Sequence, residues 1–231
     1  MNISRKWVFI VGLILTTFQS TFGQQWSFNV HGGPGFSKMF WVNKAESTPG
    51  FFIQYPATQF RTGFVGGLGA EYKLNGIWYL PIQADFIGRR FSVSTGGVVF
   101  VKDDNGQFIA VMTDYLEYRN RQVCISGGIG YKAFSYFSLE LMPYIFSNIG
   151  KQQIKVGNVI DWREVPDFQY SYDFGLSMFI NAGIKDFFVK AGYQHGLRSI
   201  TEYSVYDAAG QSLGKFPIRH SMFQLLAGYR F

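Results

Sequence analysis

The sequence has little of what disulfide-stabilised, nucleic-acid-binding or helical membrane proteins contain. Its only cysteine, Cys124, cannot form an internal disulfide. Charged residues make up 16% of the chain, and its lysines and arginines form no cluster, which argues against nucleic-acid binding. After the first 23 residues, no apolar run has the length that a transmembrane helix needs. Leucine, a strong helix former, is also scarce.

Aromatic residues and glycine are abundant instead. The 231 residues include 25 phenylalanines, 14 tyrosines and 27 glycines. Aromatic side chains are enriched in strands, so this composition favours β-structure over helices. The length suits a single domain. We therefore predict one all-β domain.

The first residues have the layout of an export signal. Arg5 and Lys6 precede the apolar run 7–15, and the small residues Thr21 and Gly23 precede a plausible cleavage point. The sequence therefore predicts a signal peptide at 1–23 and a mature domain at 24–231, with an uncleaved anchor as the alternative. Removal of the signal lowers the formal charge from +6 to about +4.

The stretch Phe168–Ile184 alternates between apolar residues and small or polar residues. Its odd positions are small or polar apart from Phe179, whereas every even position is apolar or aromatic. On a helix the even positions would spread around the circumference, but on a strand they share one face. The pattern predicts a long strand with one apolar face. That face would point to lipid in a transmembrane barrel or to the core in a soluble lipocalin-like barrel.

Seven further segments alternate in the same way. They are Trp26–Phe36, Phe60–Lys73, Trp78–Arg89, Tyr115–Tyr131, Phe137–Ile145, Phe187–Gln194 and Phe223–Phe231. The connections alternate between long and short, and every short turn falls on the side of both termini. The Asn75-Gly76 pair in the first short turn is typical of two-residue hairpins. Two long connections, Val98–Met112 and Thr201–Pro217, are predicted to contain protruding hairpins. Of the other two long connections, Lys151–Asp167 is predicted as a loop, and the one at about Lys38–Thr58 is a long aromatic segment that contains proline.

This asymmetry is typical of bacterial outer-membrane barrels with an even number of strands. The predicted fold class is all-β: an eight-stranded antiparallel up-and-down transmembrane β-barrel with short periplasmic turns and long extracellular loops. A soluble up-and-down barrel has no reason to keep the asymmetry.

The export signal, the alternating strands and the closing 227–231 segment resemble small outer-membrane β-barrel proteins of the OmpA/OmpX-like kind. The Gln24 start and the Tyr115-Leu116-Glu117 strand entry are similar to the PorT-like barrels of Bacteroidetes, although Tyr118-Arg119 replaces the proline that often follows. The resemblance implies an outer-membrane location, contact with outer-membrane lipid and recognition of the last strand by the barrel-assembly machinery. The residues that would carry this assembly signal are Phe223, Leu225, Tyr229 and Phe231.

The face opposite to the apolar one carries most of the predicted membrane-level charges. The predicted inward charges are Arg61, Glu71, Lys73, Asp85, Arg89, Glu140, Asp173, Lys190 and Arg230. The interior of an eight-stranded barrel is just wide enough for side chains to fill it, so these charges must pair or bind water. The favoured interpretation is a salt-bridge network that plugs the barrel. The alternative is a narrow pore or gated channel.

The predicted loops contain many aromatic residues. The candidate contacts for a protein partner are Phe40, Trp41, Phe51, Phe52, Tyr55 and Trp162. Exposed aromatic patches often mark binding surfaces. The equally weighted alternative is an interface belt that anchors the barrel at the lipid headgroups.

No residue pattern predicts catalysis, a cofactor or a metal site. A lipid-modifying enzyme would need a nucleophile or acid/base set at the rim, and the trio of His195, Ser199 and Glu202 offers only weak support. His31 and His220 lie on strands that meet when the barrel closes, but no cysteine or carboxylate spacing accompanies them. We predict a non-enzymatic structural or interaction module that acts through its extracellular loops, for example in secretion or surface assembly.

Overall fold

The computed structural model describes residues 25–41, 58–102, 108–157, 160–164, 172–199, 201–206 and 212–231. These residues form strands joined by turns and short irregular segments. The strands are, in chain order, β1 (Trp26–Trp41), β2 (Thr58–Lys73), β3 (Trp78–Lys102), β4 (Phe108–Gly127), β5 (Ile129–Phe134), β6 (Phe137–Asn148), β7 (Gln153–Val156), β8 (Ile160–Glu164), β9 (Tyr172–Ile184), β10 (Phe187–Gly196), β11 (Thr201–Tyr206) and β12 (Ser212–Arg230). None of the described residues forms a helix long and apolar enough to cross a membrane.

Eight strands close into a ring. The antiparallel pairing runs from β1 through β2, β3, β4, β6, β9, β10 and β12 and returns to β1. A path that starts at Lys38 and moves from each residue to its paired residue on the next strand returns to β1 at Phe28 and not at Lys38. This stagger requires strands that tilt against the barrel axis. The predicted eight-stranded up-and-down antiparallel architecture is confirmed.

The predicted fourth strand is not continuous. It is divided at Gly128 into β4 and β5, which both pair with β3 and β6. The Gly128 N–H donates to the carbonyl of Pro81 at 3.0 Å, and a Cβ at Gly128 would overlap the carbonyl of Leu141. Glycine at position 128 therefore lets the β6 backbone approach closely, and the register of the fourth barrel strand is the same on both sides of the interruption.

The short connections all lie at one end of the barrel, here called the turn side; the opposite end is the loop side. In the first connection, Asn75 Oδ1 accepts hydrogen bonds from the backbone N–H groups of Ile77 and Trp78. The Lys185-Asp186 connection places Lys185 at φ 55°, a left-handed conformation that side chains with a Cβ rarely adopt. Both turns fall where the sequence predicts them.

On the loop side, the sheet continues past the barrel. β3 and β4 stay paired up to Lys102 and Phe108, and β11 pairs with the first part of β12. These two extensions confirm the predicted protruding hairpins. The long connection Lys151–Asp167, which is predicted as a loop, contains the β7–β8 hairpin, and this hairpin pairs with β4. The predicted sixth strand is observed from Tyr172, and 168–171 lie outside the described residues.

The two faces of the wall differ as the alternation predicts. Phe174, Phe223 and Leu225 point outward and are 47%, 49% and 50% exposed. The alternate positions point inward and include buried glutamine, asparagine, serine and charged side chains. The soluble alternative, in which the apolar side chains fill the cylinder, does not describe this barrel.

Candidate functional site: the barrel interior and its outer surface

The turn-side half of the interior holds a buried ion pair with a tyrosine. Lys190 Nζ on β10 donates to Glu140 Oε2 on β6 at 2.8 Å, and both side chains are almost fully enclosed. The Tyr79 hydroxyl donates to Glu140 Oε1 and lies within 2.9 Å of Ser138 Oγ. The ammonium also lies 5.1 Å from the centre of the Phe179 ring. The acid, the cation and the hydroxyl link β3, β6 and β10 across the interior.

A second ion pair joins β12 and β2, the two strands on either side of β1, where the ring closes. Arg230 Nη2 on β12 donates to Glu71 Oε1 on β2 at 2.9 Å, across the intervening β1. Glu71 is 4% exposed, whereas Arg230 reaches the turn-side mouth. The guanidinium also lies 5.5 Å from the Phe188 ring centre. The pair therefore stabilises the closure between the first and last barrel strands.

A third cluster lies further along β1 and β3. His31 Nε2 is 2.7 Å from Asp85 Oδ1, and His31 Nδ1 is 3.0 Å from Asn29 Oδ1. All three side chains are buried. The contact between His31 and Asp85 joins β1 and β3 across the intervening β2.

The loop-side half of the interior contains the remaining buried charges. His220 Nδ1 lies 2.8 Å from Asp173 Oδ2, and His220 Nε2 lies 3.2 Å from the Tyr144 hydroxyl. Arg89 is 2% exposed, and its guanidinium stacks 4.6 Å from the Phe146 ring centre. Its Nε and Nη2 have no hydrogen-bond partner among the described residues. Arg89 is therefore held by the Phe146 ring and by the nearby Asp173, without a direct ion pair to any described residue.

Apolar side chains close the interior at two levels. The central cluster consists of Val65, Ile87, Cys124, Tyr144, Phe146, Met222 and Leu226. The mouth cluster, at the loop-side end, consists of Met39, Phe91, Tyr118 and Ile218, with Val93, Leu116 and Ile154 packed against it. The charges of the inward face predict neither cluster. The signal was present, since Val65, Ile87 and Met222 interrupt an otherwise polar inward pattern.

Inward glycines make room for the large interior rings. A Cβ at Gly192 would overlap the Phe179 ring, one at Gly130 would overlap Tyr79, and one at Gly175 would overlap the Tyr144 hydroxyl. The rings fill the space beside each glycine. The lack of a side chain at these glycines therefore allows the interior to hold large rings.

Arg61 departs from the predicted inward set. Its Nη2 lies 3.3 Å from Glu117 Oε1, and its side chain is 35% exposed at the loop side. Its Nε donates to Ser92 Oγ. The cause is an irregular register between β2 and β3 from Phe60 to Phe64, which breaks the simple alternation. Arg61 therefore pairs outside the enclosed network. Lys73 is likewise exposed at the turn side.

Two of the six aromatic residues predicted as loop contacts have described side chains. The Phe40 ring stacks on the outward His195 ring at a centroid distance of 5.0 Å. The Trp162 ring lies 4.3 Å from the guanidinium of Arg119 on β4. Both aromatic side chains thus pack against the barrel and its extension. Phe51, Phe52 and Tyr55 lie outside the described residues, as does the side chain of Trp41.

The residues predicted as an assembly signal lie along the outward face of β12. Phe223, Leu225 and Tyr229 are exposed there. The backbones of Phe231 and Phe28 exchange two hydrogen bonds, at 2.9 and 3.2 Å, and thereby extend the β1–β12 pairing to the last residue. The aromatic rings of Tyr229 and Phe187 contact each other on the outer surface.

The weakly supported catalytic trio stays a prediction, because only part of it has described side chains. His195 contacts Phe40 and lies with its Nδ1 3.4 Å from the Tyr193 hydroxyl, while the side chain of Glu202 is not described. His31 and His220 each approach a different aspartate. No group of three or more metal-ligating side chains occurs in the described part of the chain.

The outer surface is an apolar belt, and aromatic residues line its turn-side edge. Outward leucine, isoleucine, valine, phenylalanine and methionine side chains cover the middle of the wall. At the turn-side edge, Trp26 packs on Tyr72, and Trp78 packs on Tyr131. A closed ring with a polar interior, an apolar exterior and an aromatic girdle defines the class of transmembrane β-barrels.

Comparison with known proteins finds similar solved structures. No protein-family model and no curated protein sequence matches the chain. Among solved structures, it is similar to the attachment invasion locus protein Ail of Yersinia pestis, with 13% identity, a TM-score of 0.47 and coverage of 90% of this chain and 100% of Ail. It is also similar to Neisserial surface protein A, with 12% identity, a TM-score of 0.46 and coverage of 88% of this chain and 97% of that protein. A third similar structure is that of the outer membrane protease OmpT from Escherichia coli, with 12% identity, a TM-score of 0.40 and coverage of 90% of this chain and 96% of OmpT.

These neighbours are small outer-membrane β-barrel proteins with different roles. Similarity at this level adds nothing to the fold assignment, which rests on the strand pairing and on the two faces of the wall. The narrower resemblance to PorT-like barrels is not confirmed by these matches.

Proposed function

We propose that the protein is a non-enzymatic outer-membrane barrel with a closed lumen, and that it acts as a structural or interaction module on the loop side. The observation that carries the proposal is the combination of an apolar outer belt with an interior filled by paired charges and two apolar clusters. The belt anchors the protein in lipid. The filled interior leaves the loop-side surface as the part available for function.

The loop-side extensions supply that surface. The β3–β4 hairpin, the β7–β8 hairpin and the β11–β12 pair all continue the sheet beyond the barrel. The Lys151 ammonium donates to Glu164 Oε2 at 2.8 Å in the middle extension, and this hydrogen bond raises the pKa of Lys151. Ordered β-hairpins present side chains to a partner at a lower entropic cost than flexible loops do.

Export by the predicted signal peptide 1–23 and recognition of β12 by the barrel-assembly machinery form part of the proposal. The outward aromatic positions of β12 support the second point. Acting as an accessory in secretion or surface assembly is the role that we infer for the extensions. Their partner would be another protein.

Planar-bilayer recording of the purified, refolded protein tests the closed lumen. We expect insertion without discrete conductance steps, because the central and mouth clusters occupy the inward space. A Phe146→Ala/Phe91→Ala variant removes one large ring from each cluster and serves as a positive control for leakage. Regular conductance steps from the unmodified protein would instead support the narrow-pore alternative.

Two further experiments address the role of the loop side. Replacing 95–113 with a two-residue Asn-Gly turn should leave a folded barrel while removing the longest extension, and we expect loss of the cellular function with normal membrane insertion. Mass spectrometry of lipid A from cells with and without the protein tests the enzyme alternative. A modified lipid that depends on the protein would contradict the non-enzymatic role.

A further inference from the structure

The outward face changes from apolar to basic at one level near the loop side. On four barrel strands, the first charged outward residue follows the apolar positions directly or after one small residue. On β1 the last large apolar residue is Phe36 and the first basic residue is Lys38, and on β3 they are Phe86 and Arg90. On β4 they are Val123 and Arg121, and on β12 they are Phe223 and Arg219. Arg198, after β10, lies with its guanidinium 4.0 Å from the outward Tyr172 ring.

These five residues, here called the basic rim, lie at similar heights once the strand stagger is taken into account. The pairings connect them: Lys38 is opposite Ser221, and Phe40 is opposite Arg219. Arg90 is opposite Arg119, next but one to Arg121 on the same strand. Among the described residues, no outward acidic side chain lies at this level. The nearest outward acid, Glu117, pairs with Arg61 further toward the loops.

A groove on the outer surface leads from the apolar belt into this rim. It has a volume of about 410 Å³ and lies over β1, β2, β10 and β12. Phe60, Tyr193 and Phe223 form its apolar floor, in which Phe223 contacts both other rings. Lys38 and His195 line the same groove.

Lys38 lines the groove and Arg219 lies just beyond it on β12, and neither is paired with a carboxylate in the described part of the chain. Lys38 Nζ lies 5.5 Å from the centre of the Phe60 ring. Arg219, opposite Phe40, has an Nε that is buried and lacks a hydrogen-bond partner among the described residues. Cations that no described carboxylate neutralises attract an anion, and a charge-assisted hydrogen bond to it is stabilising.

From this arrangement we propose that the groove binds a phosphate-bearing glycolipid of the outer leaflet. One acyl chain lies along Phe60, Tyr193 and Phe223, and a headgroup phosphate accepts hydrogen bonds from Lys38 and Arg219. Charge complementarity selects the phosphate, and continuity with the apolar belt selects a lipid over a soluble anion. The remaining basic rim attracts neighbouring headgroups of the same kind. The inference rests on the proposed membrane location.

Lipid retention by the refolded full-length protein provides the test. The protein is placed in phosphatidylcholine nanodiscs that contain phosphorylated lipid A, dephosphorylated lipid A or phosphatidylglycerol in equal amounts, and bound lipid is measured by native mass spectrometry. We expect retention of phosphorylated lipid A, with about one molecule held most tightly. A surface cation contributes roughly a fivefold factor to binding an anionic lipid. The Lys38→Gln/Arg219→Gln variant should therefore lose retention by about tenfold or more.

The matched control is Lys73→Gln/Lys185→Gln, which removes two exposed cations from the turn side and should retain lipid A normally. Equal retention of phosphorylated and dephosphorylated lipid A would overturn the phosphate site. Equal retention of phosphatidylglycerol would overturn the choice of a glycolipid, because any anionic lipid would then suffice. Failure to insert into any nanodisc would overturn the membrane location itself, whereas insertion without selective retention overturns only the lipid site.

Discussion

Inside the barrel, Lys190 Nζ lies 2.8 Å from Glu140 Oε2, and the two residues are 2% and 3% exposed. Their strands, β10 and β6, are not neighbours, because β9 lies between them. The ion pair therefore spans the interior. It fixes the relative position of two strands that share no backbone hydrogen bonds.

Removing one partner of this pair should destabilise the barrel strongly. Glu140→Gln leaves a buried ammonium without its carboxylate and weakens the acceptor for Tyr79, at a cost of about 3–5 kcal/mol. Urea unfolding in detergent or lipid vesicles measures this loss. Glu140→Gln/Lys190→Gln should be less destabilised than Glu140→Gln alone, because no unpaired charge remains.

The exposed Lys151–Glu164 pair provides the matched control, since its side chains are 72% and 56% exposed. Glu164→Gln should leave the free energy of unfolding nearly unchanged, as solvent screens such pairs. Equal effects of Glu140→Gln and Glu164→Gln would contradict the enclosed interior.

Interior packing also depends on single glycines. A Cβ at Gly192 meets the Phe179 ring of the neighbouring strand, so Gly192→Ala should destabilise the barrel by about 1–3 kcal/mol. Adding Phe179→Leu should recover part of the loss by freeing space. Gly76→Ala is the control, because no described atom lies within 4 Å of its added Cβ. Full tolerance of Gly192→Ala would show that the ring does not occupy this position.

The sequence predicts which side of the wall each residue faces, because the two-residue period of a strand is a local property. Lys190, Glu140 and Asp85 are therefore placed inward correctly. It does not predict which inward residues meet. That depends on the strand stagger, which no pattern of alternation reveals. The pairing of Lys190 with Glu140 and the contact between His31 and Asp85 could not be predicted for this reason.

Local irregularity also explains where the alternation fails. The register shift between Phe60 and Phe64 turns Arg61 toward Glu117, although its position in the sequence predicts an inward side chain. The hairpin of β7 and β8 was missed because each strand is too short to show a clear period. The lengths and sides of the main connections were predictable since they follow from where alternation stops.

The thiol of Cys124 reports on whether water fills the lumen. The residue is 0% exposed and belongs to the central cluster with Val65 and Ile87. We expect dithionitrobenzoate to leave the folded protein unmodified and to react once the protein is unfolded in urea, because a buried thiol is inert. Ser135→Cys in a Cys124→Ser background places a thiol in an exposed turn and should react at once. Rapid reaction of Cys124 in the folded barrel would favour an open pore.

The apolar belt should tolerate charge according to depth. Leu225 lies near the middle of the belt and Ile184 at its turn-side edge, and both point outward. If lipid surrounds the belt, Leu225→Arg should cost about 2–4 kcal/mol, whereas Ile184→Arg should cost about 0–1 kcal/mol. The free energy of unfolding of each variant, measured in lipid vesicles, gives the comparison. Ile184 is the more stringent control because its side chain, at 79% exposure, is more accessible than that of Leu225 at 50%. A protein whose outer surface faced water would lose little stability in either variant, and equal small effects would therefore contradict the membrane location.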